Sequence, residues 1–208
     1  MKIRAKELFS KEQKEKIRRA VQAAEGLTRT DISVMLVDES DRYREAELSG
    51  ALALSALAAL ILSMALGYAT IWFYVPVTAA LLFPFIGLFR AFPHMKLAFL
   101  RRKRVAEAVR ERAVYAFFQR GLHKTDEETG ILVFISVLER KVWILADKGI
   151  DSRIASDSWK TLAGELAAGI REDRAFEALC GVIEKCGAEL ARHFPGAHGK
   201  DQTTDEII

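Results

Sequence analysis

An uncharged stretch constrains this sequence more than any other feature. No Asp, Glu, Lys or Arg occurs from Leu48 to Phe89, although 28% of the whole chain is charged. A membrane span needs roughly 17–25 apolar residues, so the stretch is long enough for two. We predict spans at Gly50–Gly67 and Ile71–Phe89, joined by a short uncharged turn. The alternative is a buried helical hairpin in a soluble core, which the length of the uncharged stretch disfavours.

Positive charges lie on both sides of this stretch and none lies in its turn. The residues are Arg42 and Arg44 before it and Arg90, Lys96, Arg101, Arg102, Lys103 and Arg104 after it. Positive charge near membrane spans marks the cytoplasmic side. The N-terminal segment lacks the apolar core of a cleaved signal peptide, so insertion is expected through the hairpin. We therefore predict an integral protein of a bacterial inner membrane, with both termini and the soluble domain in the cytoplasm.

The flanking segments have the patterns of ordinary helices and strands. A capping-box pattern at Ser10–Gln13 opens an amphipathic helix that ends near Gly26. The segment Asp31–Val37 is β-branched and apolar, which is typical of a buried strand. Two further strands, Ile131–Leu138 and Lys141–Asp147, are predicted as a hairpin with Glu139 and Arg140 in a surface turn. Gly149, just after the hairpin, is expected to need a positive φ. Helical periodicity predicts three more helices, namely Leu97–Arg120 without a break, one from Ser156 or Asp157 through Ile170, and one from Phe176 to His193.

This order of elements predicts an α/β fold. The first two strands are expected to be parallel because a long helical crossover separates them, and the third strand returns antiparallel. The predicted product is a small mixed sheet with helices on both faces, interrupted by a two-helix transmembrane hairpin. Residues 1–48 and 95–195 would form one discontinuous domain, residues 49–92 the hairpin and residues 196–208 a disordered tail.

Several of these segments resemble the TPM domain family, and in particular a bacterial membrane branch that carries a two-span hairpin inside the domain. The similarity runs from about Leu8 to Pro195, and its most specific part is TGILVFISVLERKVWILADKGI. The resemblance implies a mixed α/β sandwich. For function it implies several alternatives, since family members include phosphatases, assembly or repair factors for photosynthetic complexes, and receptor-associated membrane proteins.

The predicted strand directions bring acidic residues to one edge of the sheet. That edge would contain the start of the first two strands and the end of the third, and its carboxylates are Asp31, Asp126, Glu127, Glu128, Asp147 and Asp151. Carboxylate clusters suit hard cations such as calcium or magnesium. The resemblance adds that related TPM domains have an acidic loop, often Asp-Asp-Asn-Gly, before the matching strand, and that some bind calcium there. Solvated charges at strand ends are the alternative interpretation.

Recognisable catalytic motifs are absent from the sequence. No Asp-x-Asp, phosphate-cradling glycine loop or Gly-x-Ser-x-Gly motif occurs, and Cys180 is not followed six residues later by an arginine. We therefore predict an interaction, assembly or quality-control module for membrane complexes. A metal-dependent phosphatase acting on phosphate esters is the alternative. The expected partners are the lipid bilayer and either a membrane protein or a second copy. Nucleic acid is not expected, because Arg101–Arg104 lies close enough to the second span to contact anionic headgroups.

Overall fold

The computed structural model describes residues 5–68, 70–125 and 128–196. The chain divides into two compact units. Of the described residues, 41–68 and 70–105 form the first, called here the hairpin unit. Residues 5–40, 106–125 and 128–196 form the second, called here the sheet unit. The predicted tail, residues 196–208, lies outside the described residues except for Gly196.

Two long helices make up most of the hairpin unit. α3 spans Arg44–Leu66 and covers the first predicted span except for Gly67, whereas α4 spans Ile71–Ala91 and contains the second predicted span. Both are long and apolar enough to cross a membrane. α3 ends at Gly67, whose positive φ of 71° forms a left-handed C-cap. The α3 face buried within the unit carries small residues, namely Ala46, Gly50, Ala51, Ser55, Ala59 and Ser63.

Close packing of the two helices explains the small residues. A Cβ atom on Gly50 would lie 2.5 Å from Cζ of Phe89, so only glycine lets that ring approach the α3 backbone. The Tyr74 hydroxyl donates a hydrogen bond to the Ala56 carbonyl across the same interface, at 3.3 Å. Gly50 is therefore buried against Phe89 within the hairpin.

An ion cluster lies at the charged end of the hairpin, with Glu47 and Lys96 buried and Arg90 exposed. Glu47 accepts from Arg90 Nε at 2.7 Å and lies 3.0 Å from Lys96 Nζ, and Lys96 also donates to the Arg42 carbonyl. Lys96 belongs to the short helix α5, His94–Ala98. The Phe99 ring packs edge-to-face on Phe89, with centroids 5.4 Å apart. These contacts hold α5 against the end of the hairpin.

Three strands form the sheet of the sheet unit. β1 is Asp31–Val37, β2 is Gly130–Ser136 and β3 is Lys141–Ala146, in the order β1-β2-β3. β1 pairs in parallel with β2, with Asp31 opposite Gly130, and β2 pairs antiparallel with β3, with Ile131 opposite Ala146. The predicted strand directions are confirmed.

Helices cover both faces of the sheet, as predicted. The elements are α1 (Ala5–Leu8), α2 (Lys11–Glu25), α6 (Arg102–Gln119), a 3₁₀ turn (Leu122–Lys124), α7 (Lys148–Asp151), α8 (Ser156–Arg171) and α9 (Ala175–His193). α2, α8 and α9 enclose the larger core on one face. On the other face, α6 contributes Val109, Ala113, Ala116 and Phe117 to a smaller core.

Three local predictions were wrong. The helix predicted at Leu97–Arg120 is broken between α5 and α6, because α5 is drawn onto the hairpin by Glu47 and Phe89. Gly149, expected to need a positive φ, lies inside α7 and has none. Glu139, expected on the surface, is buried because its carboxylate accepts from the Ser40 amide at 2.9 Å and the Ser136 hydroxyl at 2.5 Å.

Candidate functional site at the acidic edge of the sheet

The acidic edge is built where three strands meet. Asp31 begins β1 opposite Gly130, the first residue of β2. The Asp147 amide, just after β3, donates to the Gly130 carbonyl at 2.9 Å. Asp31 and Asp147 therefore flank the same glycine from the two neighbouring chain segments. The structure places both at one edge of the sheet, as the predicted topology requires.

Asp147 is the most deeply placed carboxylate of this edge after Asp31. Only 8% of the residue is exposed, because it caps α7 from the end of a buried strand. Its Oδ1 accepts from the Lys148 amide at 2.8 Å, which satisfies one free N–H of the helix terminus. Its Oδ2 is buried and has no hydrogen-bond partner in the described part of the chain. A buried carboxylate oxygen without a donor is costly, so this atom is a candidate ligand position.

Asp151 lies one helical turn after Asp147, on the same short helix. Its amide donates to the Asp147 carbonyl at 2.9 Å. Partial burial raises the pKa of the Asp151 carboxyl, and the negative charge of Asp147 raises it further. Both causes disfavour a second negative charge at this position. A cation between the two carboxylates would reverse that preference.

The loop before β2 supplies the remaining predicted ligands. Glu128 has a positive φ of 52°, and its carbonyl accepts from the Gly149 amide at 3.1 Å, which ties the loop to α7. The side chain of Glu128 is exposed. Asp126 and Glu127 lie outside the described residues. The backbone therefore places Asp31, Glu128, Asp147 and Asp151 at the same edge of the sheet.

A complete set of metal ligands is not present among the residues that the structure describes. Within 5–68, 70–125 and 128–196, no group of three or more His, Cys, Asp or Glu side chains could hold a metal ion. Asp147 and Asp151 are close enough for the negative charge of Asp147 to raise the pKa of Asp151. Calcium or magnesium binding at this edge stays a prediction, and it depends on the loop that contains Asp126 and Glu127.

Neither cysteine is equipped to act as a nucleophile. Both thiols are free. Burial raises the pKa of the Cys186 thiol to about 12. Burial also raises the pKa of Cys180, and the neighbouring Glu184 and Glu177 raise it further. A thiolate is the reactive form of cysteine, so both residues carry less of the reactive form at neutral pH than an ordinary cysteine.

A groove along β3 was not predicted from the sequence. It has a volume of about 560 Å³ and lies within the sheet unit, between α6 and α8. Its floor is the strand itself, with Trp143 and Leu145 towards the α6 side and Val142 and Ile144 towards the α8 side. Asp151 lines one part of it, so the groove and the acidic edge share a residue. The sequence feature that could have predicted the groove is the order of the strands, because β3 lies at the end of the sheet and one edge of it is unpaired.

Comparison with known proteins agrees with this architecture. Residues 96–189 match the model of the TPM domain family. The chain is similar to the NMR structure of the BA42 protein from the psychrophilic bacterium Bizionia argentinensis, with a TM-score of 0.53 and 19% identity over 96% of this chain and 90% of that one. At this identity the likeness concerns the fold. A search of curated proteins gave no match.

The matched segment also shows how the chain completes its sheet. It begins in α5 and contains β2, β3 and α8, but β1 and α2 precede it in the sequence. β1 is nevertheless paired with β2 over its whole length. Residues 96–189 of this chain match the TPM domain model, and the sheet in that region is completed by a strand that lies before the apolar hairpin in the sequence.

Proposed function

We propose that this protein is a membrane-anchored TPM-domain protein that acts as an interaction or assembly module for membrane complexes. One observation carries the anchoring: the side chains that α3 and α4 direct outward are large and apolar. Trp72 is 89% exposed, and Met64 and Phe83 are each 75% exposed. Lipid is the environment in which such a surface is stable, because water penalises exposed apolar area.

The proposed orientation places the sheet unit in the cytoplasm of a bacterium. Its support is the distribution of Lys and Arg, which occur on both sides of the hairpin and are absent from the turn between the helices. A tag added after Ile208 should be protected from protease in intact spheroplasts and cleaved after lysis. Cleavage in intact spheroplasts would contradict this orientation.

Anchoring itself has a direct test. The protein should remain in the membrane pellet after washing with high salt and with alkaline carbonate, because apolar contact does not depend on ionic strength. A matched variant with Leu57→Lys and Ile61→Lys, two exposed positions one turn apart on α3, should lose membrane retention. Release of the unmodified protein by salt alone would overturn the proposal.

Two surface features of the sheet unit support the interaction role. Its surface offers an acidic edge and, along β3, a groove of about 560 Å³, and both are suited to binding. The partner is a membrane protein or a second copy of this chain. Cross-linking in intact membranes, followed by purification under denaturing conditions, should give a discrete adduct above the monomer. An uncross-linked monomer at every reagent concentration would contradict the interaction role.

A second candidate function is divalent-cation binding at the acidic edge, and the unpartnered Oδ2 of Asp147 favours it. Asp147 and Asp151 would hold the ion together with the loop that contains Asp126 and Glu127. Bound there, calcium or magnesium would supply Lewis acidity for phosphate ester hydrolysis, the chemistry of the phosphatase alternative.

Cation binding and catalysis can be tested separately. Addition of calcium or magnesium should raise the thermal unfolding midpoint, because a ligand of the folded state stabilises it. The gain should disappear in Asp147→Asn and persist in Asp157→Asn, an exposed carboxylate paired with Lys160. A phosphatase would also turn over p-nitrophenyl phosphate and lose that activity in Asp147→Asn. If neither cation changes the thermal unfolding midpoint, both cation binding and metal-dependent phosphatase activity at this edge are contradicted.

A further inference from the structure

The outer edge of β3 presents unpaired backbone groups. The Asp147 amide donates to Gly130, so residues 147 and 130 form a hydrogen-bonded pair of the antiparallel ladder. Such pairs alternate with non-hydrogen-bonded pairs, so Lys141, Trp143 and Leu145 point their backbone groups towards β2. The N–H and C=O groups of Val142, Ile144 and Ala146 therefore point outward. Within the described ranges, no backbone partner meets them.

The two helices beside this edge leave room for another chain. α8 presents Ala163, Gly164 and Ala167 to the groove, and a Cβ atom built on Gly164 would meet nothing within 4 Å. α6 forms the opposite wall with Ala106 and Val109. A six-residue strand is about 20 Å long, which matches an extended segment of similar length.

The charge of the groove selects the kind of segment that fits. Five cationic side chains line it, whereas Asp151 is its single carboxylate among the described residues. The cations are Arg110, Arg140, Lys141, Lys160 and Arg171. Lys160 pairs with Asp157, but the other four form no ion pair in the described part of the structure. An acidic segment would neutralise them.

Trp159 adds an independent indication of a missing partner. Its side chain lines the groove and only 3% of the residue is exposed. The indole Nε1–H is buried and has no acceptor among the described residues. Buried tryptophan N–H groups ordinarily have a hydrogen-bond acceptor. A carbonyl or carboxylate oxygen of a bound segment would supply one.

We propose that the β3 groove binds an extended acidic segment of a partner protein by β-strand addition. Backbone hydrogen bonds to Val142, Ile144 and Ala146 supply affinity, and the cationic rim selects acidic side chains. This inference rests on the proposed role as an interaction module, because it names the surface through which that module takes its partner.

The experiment uses the full chain in detergent and two fluorescein-labelled probes of twelve residues. One probe alternates glutamate with valine, and the other alternates lysine with valine. The glutamate probe should bind saturably and at least tenfold more tightly than the lysine probe. Binding should slow amide exchange at Val142, Ile144 and Ala146. Charge reversal with Arg110→Glu and Arg171→Glu should abolish the preference for glutamate.

A pair of glycine variants separates groove binding from general surface attraction. Gly164→Leu places a side chain in the groove and should weaken glutamate-probe binding at least tenfold. Gly181→Leu lies on α9, outside the groove, at another helical glycine with open space around its Cβ position. It should leave binding unchanged. Both variants should keep the thermal unfolding midpoint of the unmodified protein, which shows that they fold.

The outcomes distinguish this inference from the proposed function. No saturable binding of the glutamate probe, or equal binding by Gly164→Leu, overturns the groove proposal. A cross-linked partner that persists in Gly164→Leu membranes overturns the groove while leaving the interaction role intact. Probe binding without any cross-linked adduct in membranes supports the groove and contradicts the role as an assembly module.

Discussion

Two glycines of α9 provide a quantitative test of how the sheet unit is packed. Gly187 and Gly181 lie on the same helix, six residues apart. A Cβ atom on Gly187 would lie 2.7 Å from Cβ of Ala24 and 3.2 Å from its Cα, where α2 crosses α9. A Cβ atom on Gly181 would meet nothing within 4 Å. The same substitution by alanine should therefore have opposite effects at the two sites.

The expected magnitudes follow from two competing terms. Replacing a helical glycine with alanine stabilises a helix by about 1 kcal/mol, and Gly181→Ala should gain that amount. Gly187→Ala gains the same helical term. It also forces α2 and α9 apart, and overpacking of this kind costs about 1–3 kcal/mol. The net effect on the free energy of unfolding is between zero and a loss of about 2 kcal/mol, so the two variants should differ by about 1–3 kcal/mol.

Thermal and urea unfolding of the purified chain in detergent measure this difference. Each kcal/mol corresponds to about 2–4 °C in the midpoint for a protein of this size. The double variant Gly187→Ala/Ala24→Gly removes the opposing methyl group and should recover most of the overpacking cost. Equal stabilisation by Gly187→Ala and Gly181→Ala would refute the close packing of α2 on α9.

Three further predictions concern buried or partly buried carboxylates. Glu47→Ala should lower the free energy of unfolding by about 3 kcal/mol, because it leaves Lys96 buried without its carboxylate partner. The double variant Glu47→Ala/Lys96→Met should be less destabilised when both are compared by thermal unfolding. Glu139→Ala should lower the free energy of unfolding by about 2 kcal/mol, because it removes the acceptor of the Ser40 amide and the Ser136 hydroxyl. As a control, Arg140→Ala at the exposed neighbouring position should have little effect on the urea midpoint. The raised pKa of Asp151 means that the folded state binds the proton of this carboxyl more tightly than the unfolded state does. The protonated carboxyl therefore adds stability below the ordinary pKa of 3.8. That stability is lost as pH rises through the higher pKa of the folded state. Asp151→Asn should therefore remove this loss from the stability profile between pH 3.5 and 7 measured without divalent cations, and an unchanged profile would contradict it.

Local patterns predicted most of the sheet unit because neighbouring residues determine those elements. The β-branched run Asp31–Val37 forms β1 with the predicted bounds. The Ser10 and Gln13 side chains form both hydrogen bonds of the capping box at the start of α2. Strand directions followed from the length of the connections, and these directions brought Asp31 and Asp147 to one edge.

The features that were missed depend on contacts between residues distant in sequence. Glu139 has the local pattern of a surface turn, but Ser40, which is 99 residues away, turns its carboxylate inward. The break after α5 depends on Glu47, because Lys96 pairs with that residue of α3. Similarly, the groove exists because α6 and α8 flank β3 from opposite faces, and neither helical sequence shows where the other helix lies. The candidate metal ligands could be predicted from the sequence, whereas the groove between α6, β3 and α8 could not.

Asp151 connects the acidic edge to the groove, and this shared position has a measurable consequence. A divalent cation at the edge would neutralise the single carboxylate that lines the described part of the groove. Calcium should therefore tighten binding of the glutamate probe, and the probe should tighten calcium binding by the same factor, because coupling between two binding equilibria is reciprocal. Asp151→Asn should bind the probe more tightly without calcium and should respond less when calcium is added. If calcium stabilises the protein but leaves probe affinity unchanged, the cation and the segment bind independently, and Asp151 does not link the two sites.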